Sequence, residues 1–114
     1  MEEKVKFFKV LSDPNRLRIL KMLQVRPLCV CEITDVLDLA TSTVSQHLKL
    51  LKNEGFILEW KDGKWVNYEL NPNPKDQRIS ALLSSLDFWI SDQTAIAADK
   101  IKVMQADRAV ICCK

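Results

Sequence analysis

The sequence predicts a mainly α-helical fold that carries a single β-hairpin. Three observations lead to this prediction: apolar residues recur at helical spacing along most of the 114 residues, two strand-like runs follow the central helices, and an Asp-Gly pair separates those runs. The length suits one domain spanning residues 1–114, with few residues to spare for a second. A chain with 47% hydrophobic and 28% charged residues has an ordinary globular composition and not a disordered one.

Two helices are predicted in the first quarter of the chain. The first covers residues 2–11, where the apolar residues at helical spacing are Val5, Phe8 and Leu11. Ser12-Asp13-Pro14 then supplies a capping side chain and a proline suited to a first helical turn. The second helix therefore runs from about Pro14 to Val25, and Pro27 ends it because the residue before a proline is pushed out of helical geometry.

A short third helix over about 31–37 and a longer fourth helix follow. The inward face of the third helix is Ile33, Val36 and Leu37. Thr41 or Ser42 is expected to cap the fourth helix, which continues to about Asn53 and is stopped by Gly55. The buried stripe of the fourth helix is Val44, Leu48 and Leu51. Its polar residues are left facing outward.

The two strand-like runs cover residues 56–61 and 64–70. Asp62-Gly63 between them predicts a two-residue turn, since glycine accepts the positive φ that such turns need. Asn71-Pro72-Asn73-Pro74 then breaks the chain. A long helical segment follows from about residue 75 to residue 106, and Ser91-Asp92 can divide it in two.

This order of elements is that of a winged helix-turn-helix, in which the second helix of the motif enters the major groove of DNA. The fourth helix is locally cationic, since residues 41–53 contain lysine but no acid. Amide side chains can bond adenine edges, and hydroxyls and lysines can bond phosphates. The residues predicted to contact DNA are Ser42, Thr43, Ser45, Gln46, His47 and Lys49 on this helix, with Lys61 and Lys64 beside the turn of the hairpin. The alternative is that they form the solvated face of an ordinary surface helix.

The chain contains four cysteines in two pairs, Cys29 with Cys31 and Cys112 with Cys113. There is no run of 18 or more apolar residues and no secretory signal, so a cytoplasmic protein without a membrane partner is expected. In that reducing compartment, cysteines bind metals or sense redox state more often than they form structural disulfides. Simple packing in the core is the alternative for both pairs.

Four segments of the chain carry a resemblance to a known family. LSDPNRLRILKML, LCVCEI, STVSQHLKLLKNEGFI and DGKWVNYEL, in this order and spacing, resemble the ArsR/SmtB family of metal-responsive winged-helix repressors over roughly residues 5–71. The resemblance implies a homodimer that binds operator DNA and releases it when a metal or metalloid binds. The apolar faces of the first and last helices are expected to form the dimer interface. No organic cofactor is expected.

Within that family, a CVC pair at the start of the third helix is a feature of members that sense arsenite, antimonite, cadmium or lead. Cys29 and Cys31 match this pair, whereas Thr34 stands where the best-known arsenite sensors carry a third cysteine. Trivalent arsenic takes three soft thiolate ligands, so Cys112 or Cys113, from the same subunit or the other, is the expected third ligand. The resulting interpretation is a repressor induced by trivalent arsenic or antimony, with cadmium or lead as alternatives.

The spacing of Cys29 and Cys31 restricts their geometry. Residues i and i+2 of a regular helix point to nearly opposite sides, so both sulfurs converge only if Cys29 precedes the third helix and Cys31 lies in its first turn. Ion binding is then expected to unwind that turn and disturb the adjacent DNA-reading helix. A thiol-based redox regulator of the same fold is the main rival. A thiol enzyme is disfavoured, since the chain has no C-x-x-C and no phosphate-binding glycine loop.

Overall fold

The computed structural model describes residues 1–107, over which the chain forms six helices and three strands. The order of helices and hairpin agrees with the prediction, and the last helical segment, whose division the sequence left open, is divided near Ser91 into two helices. The bounds are α1 (Glu2–Leu11), α2 (Pro14–Val25), β1 (Leu28–Cys29), α3 (Val30–Leu37), α4 (Thr41–Asn53), β2 (Ile57–Asp62), β3 (Trp65–Leu70), α5 (Gln77–Trp89) and α6 (Thr94–Gln105).

The start of α2 is fixed by the cap that the sequence predicts. Asp13 has an extended backbone, and its carboxylate accepts hydrogen bonds from the backbone N–H groups of Asn15 (2.8 Å) and Arg16 (3.2 Å). Slight burial raises the pKa of Asp13, but these two bonds favour the charged form and hold the pKa below its usual value. Pro14 occupies the first helical turn, where backbone N–H groups have no acceptor within the helix, so the N–H that proline lacks costs no hydrogen bond.

The three strands form one antiparallel sheet in the order β1-β3-β2. Asp62 pairs with Trp65, so the two-residue loop of the hairpin is Gly63-Lys64, and the prediction of Asp62-Gly63 is wrong by one residue. Gly63 has a φ of 61° at the first loop position, which glycine adopts without steric cost. Lys64 therefore lies in the loop and not beside it. The sequence does not predict β1, because two residues are too few to show a strand pattern.

The fourth helix, α4, is anchored by its apolar stripe. Val44, Leu48 and Leu51 are fully buried, as their spacing predicts. The expected cap is wrong: Ala40 is the N-cap residue, its carbonyl accepts the N–H of Val44, and its side chain makes no capping bond. Because the helix begins immediately after Ala40, the hydroxyl residues that follow it are already helical and exposed.

A buried ion pair holds α6 against α2. The guanidinium of Arg18 donates to both carboxylate oxygens of Asp99, at 2.7 and 2.8 Å, and Asp99 is almost fully buried. This bond raises the pKa of Arg18, and its bidentate geometry fixes the relative placement of the two helices. Among residues 1–107, no helix combines the length and the apolar character needed to cross a membrane.

Candidate DNA-reading face and thiol pair

The outward face of α4 is polar and exposed. The first turn of the helix carries no acidic residue. The exposed residues of this face are Ser42, Thr43, Ser45, Gln46 and Lys49, on the side opposite the buried stripe. Side chains of these types can bond phosphates and base edges directly, since they already point into solvent. Their contact with DNA stays a prediction.

The environment of His47 differs from that of its neighbours on α4. It is half-buried, and its Nδ1 lies 3.2 Å from Nη1 of Arg16 on α2. Because a guanidinium has only donors, Nδ1 must be the acceptor in this contact. Arg16 is held in turn by the carbonyls of Val10 (2.6 Å) and Lys9 (3.2 Å) at the end of α1. One edge of the His47 ring therefore joins α4 to α2.

The two wing lysines are exposed but occupy different parts of the hairpin. Lys61 lies on β2, on the strand face that also carries Glu59, since alternate residues of a strand share a face. Lys64 lies in the loop, with its ammonium 5.0 Å from the ring centroid of Trp65. The wing thus presents one cation at its tip and another along its edge, as a phosphate-contacting wing requires.

A hydrogen-bond network joins the wing to α4. Glu59 accepts hydrogen bonds from the hydroxyl of Tyr68 at 2.8 Å and from the ammonium of Lys52 at 3.3 Å. The bond from Tyr68 holds the pKa of Glu59 below its usual value, while burial and the same bond raise the pKa of Tyr68. Lys52 is thus paired within the protein, so α4 presents less positive charge than its sequence suggests.

The thiol pair lies at the junction between β1 and α3. Cys29 is the N-cap of α3, with extended backbone (φ −85°, ψ 164°), and it pairs with Asn67 across the sheet. The helix starts at Val30, one residue before the predicted start, and Cys31 lies in its first turn. The prediction that Cys29 precedes the helix is confirmed. Cys29 is fully buried, whereas Cys31 is partly exposed.

The sequence prediction missed Glu32 and Arg26, which surround this junction. Cys29 and Glu32 form a capping box, in which Oε1 of Glu32 accepts the backbone N–H of Cys29 at 3.0 Å. Oε2 of Glu32 accepts Nη2 of Arg26 at 2.8 Å. The spacing Cys29-x-x-Glu32 follows the S/T-x-x-E capping pattern with a thiol in place of the hydroxyl, so the capping role was detectable in the sequence.

The predicted third ligands, Cys112 and Cys113, lie outside the described residues. Beyond the end of α6, the carbonyl of Ala106 accepts a hydrogen bond from Arg26 at 3.1 Å. A cleft of about 630 Å³ opens here, and its lining includes Arg26, Glu32, Trp60, Asn67 and Met104. Within residues 1–107, no three His, Cys, Asp or Glu side chains group together as metal ligands. Because Arg26 bonds both Ala106 and Glu32, the end of α6 lies beside the turn that carries Cys29.

Comparison with known proteins identifies the family. Residues 13–58 match the model for "Bacterial regulatory protein, arsR family". The arsenic resistance transcriptional regulator ArsR2 of Pseudomonas putida is 32% identical over 112 residues, which cover 93% of this chain and 94% of that regulator. The chain belongs to the arsR family. The arsR family and this fold are those of DNA-binding transcription regulators and not of enzymes.

The names of two further arsR-family relatives indicate different ions. The arsenical resistance operon repressor of Escherichia coli K12 is 41% identical over 70 residues, which cover 60% of each protein. The cadmium resistance transcriptional regulatory protein CadC of Listeria innocua is 48% identical over 63 residues, which cover 54% of this chain and 53% of CadC. The chain spans less than two thirds of the length of either relative.

Solved structures share the architecture of this arsR-family chain. HlyU from Vibrio cholerae has a TM-score of 0.67 and 28% identity, covering 80% of this chain and 95% of HlyU. Mb0332 from Mycobacterium bovis, described as a homodimeric winged helix-turn-helix DNA-binding domain, has a TM-score of 0.66 and 19% identity, covering 82% of each chain. The predicted winged helix-turn-helix fold is confirmed.

Proposed function

We propose that this chain is a homodimeric transcriptional repressor that binds double-stranded operator DNA in the cytoplasm and releases it when trivalent arsenic or antimony binds its cysteine thiolates. The observation that carries this proposal is the position of Cys29 and Cys31 at the start of α3, the helix that packs against α4. In a helix-turn-helix the second helix reads DNA. A ligand at the first turn of α3 therefore acts directly beside the reading helix.

DNA contact is proposed to run along the exposed face of α4 and out to the wing. Gln46 is assigned to a base edge, since an amide can donate to and accept from adenine at once. The hydroxyls of Ser42, Thr43 and Ser45 and the ammonium groups of Lys49, Lys61 and Lys64 are assigned to phosphates. His47 is assigned to the same interface through its role in holding α4 on α2.

Cys112 or Cys113 is proposed to supply the third thiolate. The carbonyl of Ala106 bonds to Arg26, and Arg26 pairs with Glu32 of the thiol-bearing turn. An extended chain spans at most about 3.3–3.6 Å per residue, so the segment from Ala106 to Cys112 can cover roughly 20 Å. This reach supports a site completed within one subunit.

Subunit mixing distinguishes this arrangement from one shared across the dimer. Cys31→Ser subunits are mixed with subunits that carry both Cys112→Ser and Cys113→Ser. If the site lies within one subunit, neither subunit of the mixed dimer has a complete site, and arsenite binding is not restored. If the site crosses the dimer, the mixture regains one complete site per dimer.

Opening of the first turn of α3 is proposed to cause release. Cys29 is fully buried, so an ion reaches its sulfur only when the turn opens. Ile33, Val36 and Leu37 of α3 share one core with the buried stripe of α4, so a distortion of α3 changes the support of the reading helix. A coupling free energy of about 1–3 kcal/mol gives a change of roughly 5- to 150-fold in operator affinity.

The dimer is proposed to form through α1 and α6, with residues 1–114 as one domain that both dimerises and binds DNA. Val5 and Phe8 on α1 and Ile101 and Met104 on α6 are 46% to 66% exposed. Large exposed apolar side chains mark association surfaces, and two-fold dimers are the commonest assembly. A chain with Phe8→Glu and Met104→Glu is expected to be monomeric by light scattering and to lose operator binding.

A cadmium- or lead-responsive repressor is the second candidate. The observation that favours it is the name of the Listeria relative, which refers to cadmium resistance. Cadmium and lead are also soft ions that prefer thiolate ligands. Thr34 stands where a third nearby thiol of the familiar arsenite site is expected, which is a departure for the first candidate. Residues 1–10, from which a cadmium or lead sensor of this family would draw further thiolates, contain no cysteine, which is a departure for the second candidate.

Titration with separate inducers tests the proposed function. Arsenite, antimonite, cadmium, lead, zinc and peroxide are each added to the complex with a DNA duplex selected by the protein, and release is followed by anisotropy of labelled DNA. Release by arsenite and antimonite supports the metalloid proposal, and release by cadmium and lead alone supports the second candidate. Release by peroxide alone contradicts both and identifies a redox regulator. A chain with Cys29→Ser and Cys31→Ser is the control.

A further inference from the structure

Glu32 is a buried carboxylate whose partners lie on two different segments. It is 1% exposed. Oε1 accepts the backbone N–H of Cys29 at 3.0 Å, and Oε2 accepts Nη2 of Arg26 at 2.8 Å. A carboxylate taken out of water is stable only where hydrogen bonds and an opposite charge compensate it. The charge of Glu32 therefore requires the thiol-bearing turn and Arg26 to be in place together.

Arg26 extends this link to the last helix. Its backbone is extended after α2, and its Nη2 lies 3.1 Å from the carbonyl oxygens of both Val103 and Ala106. These carbonyls belong to the C-terminal end of α6, where the helix dipole favours a cation, and the carbonyl of Val103 also accepts the N–H of Ala106 at 3.3 Å. One guanidinium thus joins the first turn of α3 to the last turn of α6.

We propose that Glu32 and Arg26 are positioning residues of the thiol pair. They hold the turn that carries Cys29 closed, and they thereby raise the concentration of arsenite that is needed for binding. This inference rests on the proposed function, since it concerns the same thiols. The capping bond fixes the backbone of Cys29, and an ion reaches the buried sulfur only after that bond breaks. The Arg26–Glu32 pair thus opposes ion binding without touching the ion.

The direction of the expected effect separates this role from simple structural support. When Glu32 no longer holds the turn, less free energy is needed to open it, so the ion binds more tightly. A residue that only supported the site would have the opposite effect, because its loss would weaken binding. Glu32→Met removes the acceptor of the capping bond and Arg26→Met removes the partner of Glu32, and each is expected to lower the arsenite concentration for half-release about tenfold, the change that corresponds to one hydrogen bond to a charged group.

Thiol reactivity tests the Arg26–Glu32 pair without any ion. In the full chain with Cys31→Ser, Cys112→Ser and Cys113→Ser, Cys29 is the only thiol, and its reaction with an aromatic disulfide reagent reports opening of the turn. Glu32→Met and Arg26→Met are expected to accelerate this reaction about tenfold. Arg26→Lys keeps a cation beside Glu32 and is expected to return the rate towards that of the parent. Glu59→Gln breaks the ion pair with Lys52 instead and is expected to leave the rate unchanged.

Three results would overturn the inference. The first is an equal reaction rate in the parent and both variants, and the second is weaker arsenite binding by the variants. The third is a faster reaction whose rate rises steeply from the lowest urea concentrations, because this would show that the variants only destabilise the whole fold. If the wild-type chain fails to bind arsenite, only the proposed function is contradicted. The reaction rate of Cys29 still shows whether the Arg26–Glu32 pair holds the turn closed.

Discussion

The outward face of α4 and the first turn of α3 belong to one helix-turn-helix, but they are built in opposite ways. The polar side chains of α4 point into solvent on a helix anchored by three buried residues. The thiol-bearing turn is buried at Cys29 and bonded through Glu32 to Arg26. An exposed face can bind without rearrangement, whereas a buried and bonded turn must first open. The difference supports the proposal that DNA binding is the resting activity and that the response to an ion requires a structural change.

Removal of one thiol of the pair is expected to give the largest effect. Cys31→Ser should reduce the response to arsenite by more than about 100-fold, since even groups that only orient a ligand contribute 10- to 100-fold. Operator affinity without arsenite should stay the same, because Cys31 lies on α3 and not on the exposed face of α4. Anisotropy of labelled operator measures both quantities. An equally large loss of operator affinity would show that the two regions are not separable.

Changes on the face of α4 are expected to have the opposite pattern. Gln46→Ala should weaken binding to the preferred operator by about 1–3 kcal/mol and relax the base preference at one position. Lys49→Ala should weaken binding to all sequences alike and reduce the salt dependence by about one phosphate contact. Competition assays at several salt concentrations measure these effects. The arsenite affinity of the free protein should not change in either variant, and a change would contradict the separation.

Replacement of His47 tests whether α4 depends on its contact with α2. His47→Ala removes the acceptor for Arg16 and should weaken operator binding about fivefold, the effect of one ordinary hydrogen bond. His47→Asn places an amide oxygen close to the position of Nδ1 and should retain most of the affinity. The measurement compares the operator affinities of the two variants with that of the wild-type chain. Equal losses would mean that the ring contacts DNA directly.

The bond between Glu59 and Tyr68 is expected to give the smallest effect. The pKa of Glu59 is lowered in the folded protein, so its stabilising contribution is complete at neutral pH and disappears as the pH falls through that lowered pKa. Tyr68→Phe should therefore cost a few tenths of a kcal/mol at neutral pH, since Glu59 is exposed to solvent, and nothing in strong acid. Urea unfolding at several pH values checks this. A loss independent of pH would contradict the role of Glu59.

The helices were predictable because their signals are local. Val44, Leu48 and Leu51 carry a periodicity that needs no partner to be visible, and Asp13 with Pro14 marks a helix start by its own chemistry. The hairpin was also predictable, but its loop was shifted by one residue because an Asp-Gly pair fits more than one turn register. Gly63 alone needs the positive φ, so the glycine fixes the turn and the aspartate does not.

The surroundings of the thiols were only partly predictable. Because of the i, i+2 spacing, the sulfurs of Cys29 and Cys31 can converge only if Cys29 is not helical. In the structure Cys29 has an extended backbone and precedes α3. The partners of Arg26 at the end of α6 lie 77 and 80 residues away in sequence, so no local sequence pattern predicts these contacts. The contact of Arg16 with His47 likewise spans 31 residues. Only the packing of the fold brings these groups together.

Amide hydrogen exchange, followed with and without arsenite, tests directly whether ion binding opens the first turn of α3. We expect arsenite to raise exchange in the segment from Val30 to Ile33 over the same concentration range that releases operator. The amides of α4 from Val44 to Leu51 should keep their protection, because this helix is reoriented and not unfolded. Operator release with unchanged exchange in the first turn of α3 would show that opening of this turn does not cause release.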